Sequence, residues 1–385
     1  MRQYKVAFAT GSRADYGIVR NYITKLNEDP EIDFSILATG ALLASEFGSA
    51  IDIIEKDGFK VDFKDKVEQK VGHLHDTVHI MATVLDDFGN FFSENRYDLL
   101  IILGDRYEIY SVSIAAAMHR IPILHIHGGE LTIANYDEFI RHSITKMSHF
   151  HFTSTEEYRQ RVIQLGEQPK NVYYLGALGA ENCLSIDMNN VPDELRDIHD
   201  SFVVLFHPET LNAISPLEQI KEVIKAVARY IDRYTFLFIG SNADTHSDQI
   251  TQTVKQFCDE HQNAKYYVNL HPDGYHHVVK QSIALIGNSS SGIIEVPSLG
   301  SYTINIGNRQ TGRVKSSSII DVPCEESEIA KAMDYVIANM DEEITDTPYY
   351  KPGTANEYYR VTKEILRVID TVGYKEFYDI NKSVK

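Results

Sequence analysis

Short apolar stretches rich in β-branched and aromatic residues alternate with longer amphipathic segments along most of this chain. This alternation is typical of βαβ units, whose strands pair in parallel. In the first part of the chain it predicts strands near 4–10, 33–39, 98–104, 121–127 and 149–153. It predicts helices near 16–28, 43–57, 76–95, 107–119, 136–147 and 154–165. A parallel, doubly wound α/β sheet is therefore expected.

The same alternation begins again after Pro192. It predicts strands near 202–207, 234–240, 264–270, 282–287 and 302–306, and helices near 216–231, 245–261 and 291–299. Two such series indicate two Rossmann-like domains. We predict a first domain over 1–184, a second over 185–356, and a C-terminal segment, 357–385, that begins with an amphipathic helix and joins the first domain.

The composition limits the classes of partner. The 385 residues include 37 Lys and Arg against 55 Asp and Glu, which gives a net charge of −18. Such a field repels polyanions, so neither nucleic acid nor an anionic membrane is expected as partner. The three cysteines form no CxxC pair, which fits a reducing cytoplasm. The N-terminal apolar run is too short for a signal-peptide core, and no run approaches the ~18 apolar residues of a membrane span.

Polar residues follow the predicted strands in both halves of the chain. In open α/β sheets, ligands bind beyond the carboxyl ends of the strands, where helix N-termini favour anions. The polar strand ends are 10–15, 104–106, 125–130, 207–210, 240–244, 287–292 and 307–313. One cleft between two facing domains, bridged by the ligand, would use all of them.

The run Asn288–Gly292 is the best phosphate candidate, because a strand leads into it and a helix leads out. An ordinary serine-rich N-cap would look the same. Glu295, on the following helix, could accept both hydroxyls of a ribose, although a solvated helix residue is the simpler interpretation. Arg309 and Arg313 suit bidentate contacts to phosphate or carboxylate, or they are surface charges.

Acidic residues in the first half are candidates for acid and base chemistry. Asp105 follows the apolar strand Leu99–Leu103, where carboxylates often serve as acid or base. It could equally cap the helix that begins at Arg106. Asp137 and Glu138 start another predicted helix, where the helix dipole alone would favour acidic residues.

Two groups of side chains could resemble zinc ligands: His73, His75 and His79, and His125, His127 and Glu130. There is no HExxH motif or cysteine partner, and an i, i+2 pair supplies two ligands where catalytic zinc usually needs three. We interpret the first group as a polar loop. The chain also lacks GxGxxG, GxxxxGK[ST] and GxSxG, so no metal, nicotinamide or other cofactor is expected.

Eight motifs stand in order along the chain. They are GSRADYG (11–17), GDRYE (104–108), HIHGGE (125–130), DEFIRHSITKMSH (137–149), FHPET (206–210), GSNAD (240–244), GNSSSGIIEVPS (287–298) and TINIGNRQTGR (303–313). The ordered set resembles the hydrolysing UDP-N-acetylglucosamine 2-epimerases of bacterial sialic acid synthesis, over about residues 5–323. The resemblance implies the two-domain GT-B fold.

The resemblance also implies a reaction, in which UDP-GlcNAc and water give N-acetylmannosamine and UDP through a 2-acetamidoglucal, without metal or nicotinamide. The implied UDP contacts are Arg13, Arg106, His207, Asn242, Ser289, Ser290 and Arg309, with Glu295 on the ribose. The implied acid and base groups are Asp105 and Asp137, with Glu130 and Glu138 as neighbours. Animal and non-hydrolysing relatives carry Glu where this chain has His127, so His127 becomes a candidate for the C2 proton.

Other functions stay open at this point. An enzyme of the same fold could act on a UDP-diacetamido-trideoxyhexose of the legionaminic acid route. A non-hydrolysing epimerase would release UDP-ManNAc, and a glycosyltransferase would need an acceptor. A catalytically silent UDP-sugar sensor would bind without turnover. The resemblance further implies a homodimer or homotetramer.

Overall fold

The computed structural model describes residues 2–43, 50–67, 74–132, 136–207, 214–240, 247–268 and 270–380. The chain forms two compact units. The first contains the chain up to Glu130, Tyr136–Leu178, and the chain from Lys351 onward. The second contains Gly179–Tyr350 and the short segment from Leu131. The units therefore break at 178 and 350, six residues before each boundary predicted from the sequence.

The first unit is built on a seven-stranded parallel sheet with strand order β3-β2-β1-β4-β5-β6-β7. The strands are β1 (Tyr4–Thr10), β2 (Ile32–Ala38), β3 (Val61–Lys64), β4 (Leu99–Leu103), β5 (Ile123–Ile126), β6 (Phe150–Thr153) and β7 (Val172–Tyr174). All five residues of β4 are buried. Strands covered on both faces read as continuous apolar runs, which is why the central strands could be recognised in the sequence.

Helices cover both faces of this sheet. They are α1 (Arg13–Asn27), α2 (Ala50–Lys56), α3 (Leu74–Glu94), α4 (Tyr107–Met118), α5 (Asp137–Met147) and α6 (Glu156–Gln164), with α7 (Leu178–Asn182) at the break between the units. A C-terminal helix, numbered α14 (Thr354–Val368), packs against α1, where the rings of Tyr22 and Tyr358 are 5.4 Å apart. The hydroxyls of Tyr22 and Thr362 are hydrogen-bonded at 2.7 Å.

The second unit repeats the plan with a six-stranded parallel sheet in the order β10-β9-β8-β11-β12-β13. Its strands are β8 (Ser201–Leu205), β9 (Thr235–Ile239), β10 (Ala264–Tyr267), β11 (Ala284–Gly287), β12 (Tyr302–Ile306) and β13 (Ile319–Val322). Its helices are α8 (Pro216–Ala228), α9 (Ser247–Glu260), α10 (Pro272–Gln281), α11 (Ser291–Ile294), α12 (Val296–Leu299) and α13 (Glu326–Ala338). Two parallel-sheet α/β domains, as predicted, are confirmed.

The sequence prediction missed three edge strands and is wrong for one helix. The strands β3, β7 and β13 lie at sheet edges and have only three or four residues, so they lack the long apolar run of a central strand. The helix expected over 291–299 is two four-residue helices. Pro297 explains the break, because it has no N–H to continue the ladder of helical hydrogen bonds.

The histidine-rich stretch is also different from the prediction. His75 and His79 lie on the exposed face of α3, so the interpretation of this group as a polar loop is wrong for them. His73 lies outside the described residues. Among the residues that the structure describes, no three His, Cys, Asp or Glu side chains come together as metal ligands. Within the same residues, no helix is both long enough and apolar enough to cross a bilayer.

Candidate active site

The first unit collects its candidate residues at the carboxyl edge of its sheet. Arg13 follows β1, Asp105 and Arg106 follow β4, and the segment His127–Glu130 follows β5. These three strands are neighbours at the centre of the sheet, and their carboxyl ends lie at one edge because the strands are parallel. Arg13, at the start of α1, is exposed to solvent.

Asp105 does not act as the cap of α4. Arg106 occupies the N-cap position of that helix, so the alternative interpretation of Asp105 as a cap is wrong. The carboxylate of Asp105 instead accepts a hydrogen bond from Nη2 of Arg141, which lies in α5. Its side chain keeps 19% of its surface exposed, so it can still meet a ligand.

Helix α5 carries Asp137, Glu138 and Arg141 within its first five residues. Asp137 and Arg141 are four residues apart and therefore lie on one face of the helix, one turn from each other. Glu138 lies on the neighbouring face, where its Oε1 is 3.2 Å from Nε2 of His142. Asp137 and Glu138 are four and three residues before Arg141, so both lie about one helical turn from the residue that binds Asp105.

The turn after β5 holds His127 in an unusual backbone conformation. Its φ of 65° is rare for a residue other than glycine, and such outliers often mark functional sites. Nδ1 of His127 lies 3.3 Å from Oε1 of Glu130, and the hydroxyl of Ser154 donates to the same oxygen at 2.9 Å. All three side chains are buried, so Glu130 restrains the imidazole of His127.

His125 is buried in β5 and connects the loop after β4 with helix α5. Burial lowers the pKa of His125 to about 3, so its imidazole is neutral. Its Nε2 lies 2.8 Å from the carbonyl oxygen of Gly104 and therefore carries the proton and donates. Its Nδ1, 3.1 Å from the hydroxyl of Thr145, then accepts. Thr145 of α5 is thereby connected to the residue that precedes Asp105.

The carboxylate of Glu108 holds the side chain of Arg106 in place. The Nε of Arg106 donates to the carboxylate of Glu108, which is fully buried in the first turn of α4. A Cβ atom added at Gly11 would lie 2.6 Å from Oε1 of Glu108, and one at Gly40 would lie 2.9 Å from it. Glycine at both positions therefore lets the loops after β1 and β2 close over this carboxylate.

The second unit also places its candidates at one sheet edge. His207 lies just past β8, Ser289 and Ser290 follow β11, and Arg309 follows β12, and these three strands are neighbours. Asn242 lies outside the described residues. Three of the four loops that were expected to bind a diphosphate in this unit therefore lie side by side in the described structure.

Asn288 ties these loops together, a role that the sequence did not reveal. The backbone N–H of His207 donates to Oδ1 of Asn288 at 2.8 Å, and Nδ2 of Asn288 donates to the carbonyl oxygen of His207 at 2.9 Å. The carbonyl oxygen of Asn288 accepts from Arg309 at 3.1 Å and from Gln310 at 2.8 Å. An Asn directly after a buried strand is the signal that could have indicated this role.

The serine run has little capping function. Ser290 occupies the N-cap position of α11, but it is the hydroxyl of Ser289 that accepts from the backbone N–H of Ser291, at 3.3 Å. Before the run, Gly287 has a φ of 152°, and a Cβ there would lie 1.9 Å from the carbonyl oxygen of Leu205. Only glycine allows this close approach of β11 to β8.

Glu295 is not the solvated helix residue of the simpler interpretation, because its side chain is only 16% exposed. Ser291 donates to Oε2 of Glu295 at 2.7 Å, and Nε2 of His276 lies 3.4 Å from the same oxygen. Burial alone would raise the pKa of Glu295, but the hydrogen bond and charge of His276 outweigh burial and lower it. Oε1 lies next to Gly179, where a Cβ would come within 2.9 Å.

Two Rossmann-like units with polar residues at the carboxyl edges of their parallel sheets define a two-domain α/β class of protein, in which ligands bind at those edges. Residues 24–365 match the family model described as UDP-N-acetylglucosamine 2-epimerase. The chain belongs to the UDP-N-acetylglucosamine 2-epimerase family, as the sequence motifs indicated.

Individual relatives agree with this family. Polysialic acid biosynthesis protein P7 of Escherichia coli is 48% identical to this chain, over 98% of this chain and 97% of its own length. The GDP/UDP-N,N'-diacetylbacillosamine 2-epimerase (hydrolyzing) of Campylobacter jejuni is 34% identical over 83% of this chain and 85% of its own length.

A solved structure agrees on the fold. The UDP-GlcNAc 2-epimerase of Neisseria meningitidis, bound to UDP-GlcNAc, is similar with a TM-score of 0.78 and 14% identity. The match covers 94% of this chain and all of that chain. The predicted GT-B fold class is thereby confirmed.

Proposed function

We propose that this chain is a hydrolysing UDP-N-acetylglucosamine 2-epimerase, which converts UDP-GlcNAc and water into N-acetylmannosamine and UDP for sialic acid synthesis. The observation that carries the proposal is the pair of carboxylates at one sheet edge, Asp105 held by Arg141 and Asp137 one helical turn from Arg141. Family membership and the name of the 48% identical relative, a polysialic acid biosynthesis protein, support it.

The proposed reaction has two steps. In the first, a base removes the proton from C2 of the sugar while the bond between C1 and the diphosphate oxygen breaks, which leaves an enzyme-bound 2-acetamidoglucal and UDP. In the second, the oxygen of water adds to C1 and loses one proton to a base, while an acid returns a proton to C2 on the opposite face. We assign the acid and base functions to Asp105 and Asp137, because positioned carboxylates can do both.

His127 is the alternative group for the C2 proton. An imidazole titrates near neutral pH, and Glu130 holds that of His127 in a fixed orientation. In this proposal Glu130 orients His127, and Glu138, whose Oε1 lies 3.2 Å from Nε2 of His142, is a neighbour of the acid and base groups.

The departing diphosphate needs positive charge and N–H donors placed in advance. We assign this task to Arg309, Ser289, Ser290 and His207 of the second unit, with Asn242, and to Arg13 and Arg106 of the first. Glu295 is assigned to the ribose hydroxyls, since Oε2 already accepts from Ser291 and Oε1 can accept from a ligand.

The test is incubation of the purified protein with UDP-GlcNAc in D₂O, followed by NMR of the products. N-acetylmannosamine with deuterium at C2, together with free UDP, is the expected result. UDP-ManNAc as the released product would instead indicate a non-hydrolysing epimerase. Tight binding of UDP-GlcNAc without turnover would indicate a sensor and contradict the proposal.

A second candidate substrate is a UDP-diacetamido-trideoxyhexose. The observation that favours it is the pair of relatives, 34% and 30% identical, that are named hydrolyzing diacetylbacillosamine 2-epimerases. The two substrates differ at C4 and C6 of the sugar. A comparison of kcat/KM for both sugars decides between them, and we expect UDP-GlcNAc to be preferred.

We further propose a cytoplasmic enzyme that forms a homodimer or a homotetramer, with the UDP-sugar as its ligand and neither nucleic acid nor membrane as its partner. Light scattering during size-exclusion chromatography measures the mass of the assembly. A mass of one chain at micromolar concentration would contradict the oligomeric part of this proposal.

A further inference from the structure

Arg141 is a buried cation within the first unit. Only 3% of the residue is exposed, although it lies near the middle of the amphipathic helix α5. A guanidinium removed from water is costly unless its donors are paired. Its Nη1 donates to the carbonyl oxygen of Glu130 at 2.9 Å, and its Nη2 donates to the carboxylate of Asp105. One side chain thus connects α5 with the loops after β4 and β5.

A second connection runs between the same elements. Thr145, one turn after Arg141, donates to His125, and His125 donates to the carbonyl oxygen of Gly104. The loop that carries Asp105 is therefore bound to α5 both at the carboxylate and at the preceding backbone carbonyl. Gly104 has a φ of 74°, so this loop makes a sharp turn that other residues rarely adopt.

Asp137 lies on the same face of α5 as the two residues that make these contacts. Asp137, Arg141 and Thr145 follow each other at intervals of four residues and form one row along the helix. Arg141 binds the carboxylate of Asp105 directly, and Thr145 is connected to the same loop through His125. Asp137 is the other proposed acid or base. Arg141 therefore connects Asp105 to the helix whose first residue is Asp137.

We propose that Arg141 is a positioning residue that fixes the carboxylate of Asp105 relative to that of Asp137. This inference rests on the proposed function, because it assigns Arg141 a part in the same reaction. Catalytic groups lose about 10²-fold in rate when they are misplaced by about 1 Å. A Lys at position 141 keeps the charge but lacks the two-pronged geometry that reaches a carbonyl and a carboxylate together.

The test compares Arg141→Lys and Arg141→Ala with Arg161→Ala as the matched control. Arg161 donates to the carbonyl oxygen of Gly129 at 2.6 Å, in the same loop, and its other partner is the helix residue Glu157. Both arginines therefore support the turn after β5, but only Arg141 holds a proposed acid or base. Steady-state release of UDP gives kcat and KM, and calorimetry gives the affinity for UDP.

We expect kcat to fall by about 10²-fold in both Arg141 variants, with KM and UDP affinity within about threefold of the wild type. Added guanidinium should restore part of kcat in Arg141→Ala. In Arg161→Ala, kcat should change by less than about threefold. Equal kcat in the Arg141→Ala and Arg161→Ala proteins would overturn the inference, as would a loss that follows only the fraction of unfolded protein.

A crystal structure of Arg141→Lys tests the inference without any activity. The carboxylate of Asp105 should be displaced relative to Asp137, and an unchanged distance between the two carboxylates would overturn the positioning role. A wild-type protein that turns over neither UDP-sugar contradicts the proposed function instead, so the two failures are distinguishable. If both Arg141 variants fail to fold, the role of Arg141 is structural and the inference is wrong.

Discussion

The two units present their candidate residues on the same kind of sheet edge, but they hold them in place by different physical means. In the first unit two of the contacts are ionic, because Arg141 binds Asp105 and Arg106 binds Glu108, and His127 lies against the carboxylate of Glu130. In the second unit Glu295 is paired with His276, but the contacts by which Asn288 holds the backbone of His207 are neutral amide hydrogen bonds.

This difference suits two different tasks. Groups that exchange protons change their charge during a reaction, and neighbouring ions determine how readily they do so. A site for a diphosphate has a constant charge, and rigid amides and hydroxyls can shape it without adding another ionisation. The comparison predicts that changes in the first unit alter rate and pH dependence, whereas changes in the second alter affinity and local stability.

The largest effect is expected from the carboxylates of the first unit. Asp105→Asn and Asp137→Asn should each reduce the rate of UDP release by about 10² to 10⁴, the usual contribution of a general acid or base. UDP affinity, measured by calorimetry, should stay within about threefold. Asp52→Asn, in the exposed first turn of α2, is the control. Near wild-type rates of UDP release in both Asp105→Asn and Asp137→Asn would contradict the assignment of these carboxylates as acid and base.

Asn288→Ala tests whether neutral bonds hold the second edge together. The amide is fully buried, and its loss leaves the backbone N–H and carbonyl of His207 without their partner. We expect a loss of about 3 kcal/mol in the free energy of unfolding, measured by circular dichroism in urea. Asn189→Ala, at an exposed position of the same unit, should change it by less than about 0.5 kcal/mol. Similar losses in both variants would contradict the role of Asn288.

Arg309→Ala should act on affinity. Loss of one charge-assisted contact to a phosphate is worth about 2 kcal/mol, which corresponds to about thirtyfold weaker UDP binding. Turnover at saturating substrate should change less than the affinity does. The control is Arg229→Ala, an exposed arginine of the same unit that is paired with Glu326. If UDP affinity were unchanged by Arg309→Ala, the anion site would not include the end of β12.

The smallest effect concerns Asp15, in the first turn of α1. Burial raises its pKa to about 6, against the opposing charge of Arg106 and the hydrogen bond of Ser12. Between about pH 4 and pH 6 the folded state therefore binds more protons than the unfolded state, and stability falls as the pH rises.

Asp15→Asn removes this ionisation, so its stability relative to wild type should increase as the pH rises from 4 to 7. We expect a change on the order of 1 to 2 kcal/mol, because water screens a partly exposed side chain. Urea unfolding at a series of pH values measures it. A constant difference between the two proteins across this range would show that Asp15 titrates normally.

Sequence reasoning succeeded where the physics is local. The run Leu99–Leu103 is apolar throughout because β4 is buried on both faces, and the polar residues that follow it stand at the sheet edge by topology alone. The edge strand β13, with the sequence IIDV, is partly exposed and shorter, so its pattern resembles that of a loop. Whether an edge segment forms a strand depends on its pairing with the neighbouring strand more than on its own composition.

Arg141 shows what was missed in the site and why. In the segment Asp137–Met147 it lies between Ile140 and Ile144, on the buried face of an amphipathic helix. A charge among apolar positions indicates a buried partner, and this signal was available in the sequence. Its partner is 36 positions away, however, and only the folded chain identifies it as Asp105.

The return of α14 to the first unit determines when that unit can be completed. Tyr358, Val361, Ile365 and Leu366 belong to the same core as Phe8 and Tyr22, although more than 300 residues separate them along the chain. During synthesis, the first unit therefore cannot complete its core until the whole second unit and α14 have left the ribosome. Until then, the surface of α1 that packs against α14 stays exposed. Premature termination between Tyr350 and Ala355 would leave the second unit entire and the first without the core residues of α14.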